Sequence, residues 1–159
     1  MNHAQNPFTI AVIVFLLLSI DNAEAGSKSE LPNDLTLELL GRCLIYSFSF
    51  QHTIHEHLGI EGGFSMLGGS DDNIVFLSGG VRLYLTPADA SPCIAGGLVA
   101  VTSSTGSGPF SSDESASYAY IGPGFEYRSS GGFLFRGTLY FLVRDGFFVW
   151  PGAQIGIAF

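Results

Sequence analysis

A two-residue rhythm constrains this chain more than any other feature, and it runs through most of the sequence after Gly26. In GFLFRGTLYFLV, Phe133, Phe135, Leu139, Phe141 and Val143 share one face, while Leu134, Arg136, Thr138 and Tyr140 share the other. IVFLSGGVRLYL sets Val75, Leu77, Val81, Leu83 and Leu85 against Phe76, Ser78, Arg82 and Tyr84. HLGIEGGFSM sets Leu58, Ile60, Phe64 and Met66 against Gly59, Glu61, Gly63 and Ser65. YAYIGPGFEYR sets Ile121, Phe125 and Tyr127 against Tyr118, Tyr120, Gly122, Gly124 and Glu126. Such alternation marks strands whose two faces meet different surroundings. Each run is about ten residues, the length a tilted strand needs to cross a bilayer. No stretch after Gly26 reaches the roughly 18 apolar residues of a membrane helix, so a membrane-embedded form of this chain has to be a closed barrel.

Composition agrees with that geometry. Hydrophobic residues make up 47% and charged ones 13%, which is greasy for a soluble domain. Glycine (21) and the aromatics Phe (14) and Tyr (6) are abundant together, a pairing typical of twisted, closed sheets rather than helical bundles. The length, 159 residues, allows one domain. A net charge of −8 argues against nucleic-acid partners, whose phosphates need clustered Lys and Arg.

Breaker clusters at 68–73, 86–92, 103–117, 129–132 and 144–146 separate the runs. They predict strands near 43–53, 57–67, 74–86, 93–103, 117–128, 133–143 and 149–159. A barrel with both ends on one side of the membrane needs an even count, so DLTLELL, 34–40, is assigned as an eighth and first strand. The expected fold is an all-β, eight-stranded antiparallel up-and-down transmembrane β-barrel over 34–159. It follows an N-terminal segment, 26–33, on the periplasmic side. With the last strand ending in the periplasm, the 68–73, 103–117 and 144–149 connections face outward. A bulge is expected at Pro123, which has no backbone donor.

The charges decide which face is inside. One face of each strand is Leu, Ile, Phe, Val and Tyr. The other carries Glu61, Arg82, Glu126 and Arg136 among Gly, Ser and Tyr. A soluble barrel is apolar within and polar without; this pattern is the reverse. Counting back from the turns near 70–71 and 130–131 places Glu61 opposite Arg82 and Glu126 opposite Arg136. An unpaired charge in a narrow interior costs several kcal/mol. Two such pairs neutralise each other and make a closed, polar, ion-paired lumen the expectation, with a structural plug favoured over a conduction or binding site.

Ile10 to Leu18, too short to span a bilayer as a helix, precedes Ala23-Glu24-Ala25, an A-x-A cleavage pattern. Residues 1–25 are therefore expected to be a signal peptide, the alternative being a retained membrane anchor. The chain ends AQIGIAF, with Ile155, Ile157 and Phe159 on one face. A terminal strand of this form resembles the C-terminal assembly signal of bacterial outer-membrane barrel proteins. Together with LLGRCLIYSFSFQ, GGFLFRGTLYFLV and WPGAQIGIAF, it makes the chain resemble the small eight-stranded OmpA/OmpX-type class. The resemblance implies residence in the cell outer membrane, outer-membrane lipid and the barrel-assembly machinery as partners, and a structural or surface-interaction role. The loop 103–117 is the expected contact surface for a ligand. Trp150 and Tyr140 are assigned to the outer aromatic girdle.

Other chemistry is weakly supported. His52, His55 and His57 with Glu56 form a run with metal-binding composition, but in an extended chain His52 points away from the other two. No cofactor is expected. The chain is not expected to be an enzyme: the lipid A deacylases, small barrels of similar size, carry their His in the C-terminal half, and this chain has no His after His57. Ser47 and Ser49 near His52 face inward and lack a completing acid. A lipid-modifying enzyme and a soluble lipocalin-like carrier remain the alternatives. Cys43 and Cys93 fall at opposite ends of the barrel, on the order of 25 Å apart, so no intramolecular disulfide is predicted.

Overall fold

The computed structural model describes residues 28–68, 72–105 and 112–159. Eight strands follow in chain order: β1 (Asn33–Leu40), β2 (Tyr46–His55), β3 (Leu58–Gly68), β4 (Asp72–Tyr84), β5 (Ala90–Thr105), β6 (Ser112–Arg128), β7 (Phe133–Val143) and β8 (Phe147–Ala158). Each pairs antiparallel with the next, and β8 returns to β1, so the sheet is a closed up-and-down barrel. Closure sets Leu35 opposite Ile157 and Leu37 opposite Ile155. Asn33 and Phe159 exchange two backbone hydrogen bonds of 3.0 and 2.8 Å. No unpaired edge is left along this seam.

The wall is greasy outward and polar inward. Leu77, Phe135, Leu139, Ile155 and Ile157 are exposed on the exterior, while Glu61, Arg82, Glu126, Arg136 and Gln154 are buried within. A soluble carrier with an apolar interior would require the opposite arrangement.

Two elements differ from the sequence expectation. β2 starts at Tyr46 rather than near 43, because Gly41–Cys43 form a 3-10 turn that folds into the barrel mouth, with Gly41, Arg42 and Cys43 all buried. Gly41 accepts φ +75° without penalty. Leu44 does not: at φ 73°, ψ −54° it centres a tight turn closed by the Ile45 amide on the Cys43 carbonyl at 3.0 Å, the rare, strained form of the γ-turn. The 103–117 connection is also shorter than its composition implies. Ser and Thr residues continue the ladder until Thr105 pairs with Ser112, so this hairpin projects furthest. Residues 106–111 of that expected contact loop lie outside the described residues.

The bulge expected at Pro123 is absent. Pro123 keeps its partner Ile94 in β5. Toward β7 the pairing lapses between Ile121↔Phe141 and Gly124↔Thr138, then resumes in unchanged register. A missing donor has opened the ladder without inserting a residue. The register shift lies instead between Thr53 and His55.

Tyr140 is not in an outer girdle. It is fully buried inside the barrel, in an apolar cluster with Cys43, Phe76, Ala95, Val99, Tyr120 and Leu142. Trp150, its register partner in β8, also turns toward this cluster. Even-numbered positions of β7 and β8 point inward, and both aromatics obey that parity.

Candidate functional site

The interior below this cluster is filled by charge. β1 contributes Asp34 and Glu38 by the same alternation that turns Leu35 and Leu37 outward. β3 supplies Glu61, β4 Arg82, β6 Glu126 and Arg128, and β7 Arg136. The inward turn adds Arg42. Lys28, ahead of β1, enters from the end of the barrel where β1 begins and β8 ends. All nine are essentially inaccessible to solvent.

Glu126 and Arg136 are register partners in β6 and β7, and the Arg136 Nε donates to Glu126. Arg136 also reaches Asp34 at 2.6 Å, which Arg128 contacts at 2.8 Å. Glu61 and Arg82 are in contact at 3.0 Å, but not as direct partners: Glu61 faces Gly80, and Arg82 faces Gly59. The hairpin register is two residues from the one counted in sequence, and the long arginine spans the diagonal. Glu61 also accepts from Arg42, whose Nε lies 3.3 Å from Glu38.

Neutral side chains join these groups into one network. Arg82 donates to Gln51 at 3.3 Å, Gln51 to Tyr84 at 2.7 Å, and Tyr84 to Glu126 at 2.6 Å. Gln154 links Arg136 and Glu38 at 3.3 and 3.0 Å, and Tyr140 donates to Glu38 at 2.7 Å. Gly80 and Gly97 face each other in β4 and β5 under the Tyr120 hydroxyl, which reaches Glu61 at 3.1 Å. A Cβ on Gly80 would stand 2.3 Å from that oxygen.

Four carboxylates thus meet five cations. Charge-assisted bonds of this kind are the strong ones, and a dry setting makes every missing partner expensive. Arg42, Arg82, Arg128, Arg136 and Tyr140 are the largest fully buried side chains, and they cross the space a solute would need. Sequence reasoning reached Glu61, Arg82, Glu126 and Arg136 but not Asp34, Glu38, Arg42, Arg128 or Lys28. Alternation in DLTLEL and the two-residue step from Glu126 to Arg128 carried a signal for three of these. Nothing local marked Arg42, which sits in a turn, or Lys28, which sits outside any strand.

The end where β1 begins and β8 ends is stoppered by residues 28–32. The Lys28 ammonium donates to the Ala88 carbonyl, lies 4.8 Å above the Tyr84 ring and is 4.0 Å from Glu126. Burial pulls its pKa down to about 8 against the raising effect of Glu126. Arg128 donates to the Leu31 carbonyl, and the Thr53 amide to the Pro32 carbonyl at 2.7 Å.

The other sequence candidates are not gathered. His55 and His57 stack at 6.0 Å, but His52 pairs with Asn33 at 2.9 Å and His57 with the Tyr84 carbonyl at 2.8 Å. Among the described residues no three His, Cys, Asp or Glu side chains come together in a metal-binding group. Ser47 and Ser49 serve Glu38 and Arg42. Cys43 and Cys93 are free thiols, both buried. Ile155, Ile157 and Phe159 face outward, about half exposed or more.

No protein-family model matches the chain. Comparison with curated proteins likewise finds no match. Among solved structures, the N-terminal β-barrel domain of Pseudomonas aeruginosa OprF superposes with a TM-score of 0.61 at 14% identity, covering 80% of this chain and 95% of that one. Ail, the attachment invasion locus protein of Yersinia pestis, gives 0.49 at 11% identity, covering 79% and 91%. The chain has the fold of the small eight-stranded outer-membrane barrels.

Proposed function

We propose that the protein is an outer-membrane barrel with a sealed lumen, acting as a structural element or through its outward surface rather than as a pore. The end where β1 begins and β8 ends is periplasmic, and the β1–β2, β3–β4, β5–β6 and β7–β8 connections lie outside. Ile155, Ile157 and Phe159 present the assembly signal to the barrel-assembly machinery, and residues 1–25 are removed on export. One observation carries the sealed reading: the four buried arginines and their carboxylates occupy the bore, and opening a path through it requires breaking their pairs. Eight strands leave an interior that side chains alone fill.

Planar-bilayer recordings test it. Purified, heat-modifiable protein is expected to give no stable conductance steps. Reproducible open-channel steps from the same material would contradict the sealed lumen.

A further inference from the structure

The five cations inside leave one lysine or arginine outside. Arg144, in the β7–β8 turn, has a side chain 59% exposed, whereas Lys28, Arg42, Arg82, Arg128 and Arg136 are enclosed. The segments 69–73 and 106–114 add no base and carry Asp71, Asp72, Asp113 and Glu114. A soluble anion reaching this end of the barrel therefore has one cationic anchor.

Beside that anchor lies an open pocket of about 350 Å³. Its walls are apolar: Leu44, Tyr118, Leu142 and Phe148 line it, with Arg144 and Asp145 as its charged groups. The volume is near the lower end of the roughly 300–1,000 Å³ of small-molecule sites, and apolar walls with a single polar anchor are their usual makeup. Leu44, which lines it, is the residue held in the strained γ-turn; such strain concentrates at functional sites. Phe148 stacks on Trp150 at 5.4 Å, and the Trp150 indole donates to the Leu44 carbonyl at 3.1 Å, so two walls are held by one aromatic.

We infer that this pocket binds a long-chain carboxylate, with the acyl chain against Leu44, Leu142 and Phe148 and the headgroup on Arg144. The inference rests on the proposed surface-interaction reading and supplies its ligand class. A guanidinium matches a planar carboxylate through paired hydrogen bonds. Asp145 sits 3.4 Å from the Arg144 Nε. The pair is solvent-exposed and weakly held, so a ligand carboxylate competes with Asp145 for the guanidinium.

Trp150 is the only tryptophan, which makes it the reporter. Protein reconstituted in phosphatidylcholine vesicles is titrated with a dibrominated C18 fatty acid, and quenching of Trp150 is followed. Saturable quenching is expected, with the half-saturating concentration raised about fivefold or more in Arg144→Gln. A brominated alcohol of equal length is expected to quench only in proportion to its membrane loading. Three results would overturn the inference: quenching by the acid that is unsaturable and indifferent to Arg144→Gln; saturation by the alcohol at the same concentration as the acid; or equal Arg144-dependent saturation by brominated phosphatidylglycerol, which would make the occupant a membrane lipid. Conductance reports on the lumen alone, so the two readings fail separately.

Discussion

Removing one member of the enclosed network leaves charge without solvent. Glu126 is the clearest case, contacted by Arg136, Arg128 and Lys28. Glu126→Gln is expected to destabilise the barrel by about 3–5 kcal/mol, read as a lower urea midpoint for loss of the folded band. Adding Arg136→Gln is expected to recover part of that loss, since the two residues share one interaction. Lys28 predicts a pH dependence. Its docked pKa, about 8, lies below the 10.5 of a free lysine, so the docked segment binds fewer protons in between. Docking of residues 28–32 should strengthen as pH rises from about 8 to about 10.5 and be flat below about 8, where the lysine is protonated in both states. Hydrogen exchange at Ser29 to Leu31, corrected for intrinsic rates, checks this; Lys28→Met should abolish the slope. At this scale the sequence was legible wherever alternation set a residue's face. Glu126 opposite Arg136 follows from turn position alone, whereas the Glu61–Arg82 diagonal depended on a hairpin register that Gly-rich, weakly specified strands do not announce.

Among the elements, strands were easier to read than their connections. Breaker clusters located the five connections from β3–β4 onward, but the β5–β6 hairpin ran on through Ser and Thr, which tolerate a solvated ladder as well as a loop. At Gly41-Arg42 the chain dives inward because Arg42 finds Glu61 and Glu38 inside. Pro123 was read as a bulge, and the ladder lapsed without one, since neighbouring pairs hold the register on both sides. The β1–β2 turn makes its own prediction. Leu44→Gly and Leu44→Ala remove the same side chain, but only glycine relieves the positive φ. The glycine variant should be the more stable of the two by about 1 kcal/mol, the reverse of their order in a strand. Urea unfolding in lipid vesicles measures it.

For the whole molecule, the barrel is inverted relative to a soluble protein: apolar side chains coat it, and the ionised ones form its core. The fold class was legible because that inversion is written in every strand, and the inward aromatics obey the same parity even where Tyr140 and Trp150 resemble girdle residues by type. The role of the outward end was less legible, because the Arg144 pocket joins β1–β2, β6 and β7–β8 residues far apart in sequence. The inversion itself is most directly measured by spin labels placed singly along β7 from Phe133 to Val143, in a background with Cys43 and Cys93 replaced, with oxygen and a polar nickel chelate as relaxers in reconstituted vesicles. Labels at Phe133, Phe135, Leu139 and Phe141 should be relaxed by oxygen, and those at Leu134 and Thr138 by neither agent. Accessibility to the chelate along both faces, or oxygen relaxation confined to the even positions, would contradict the account.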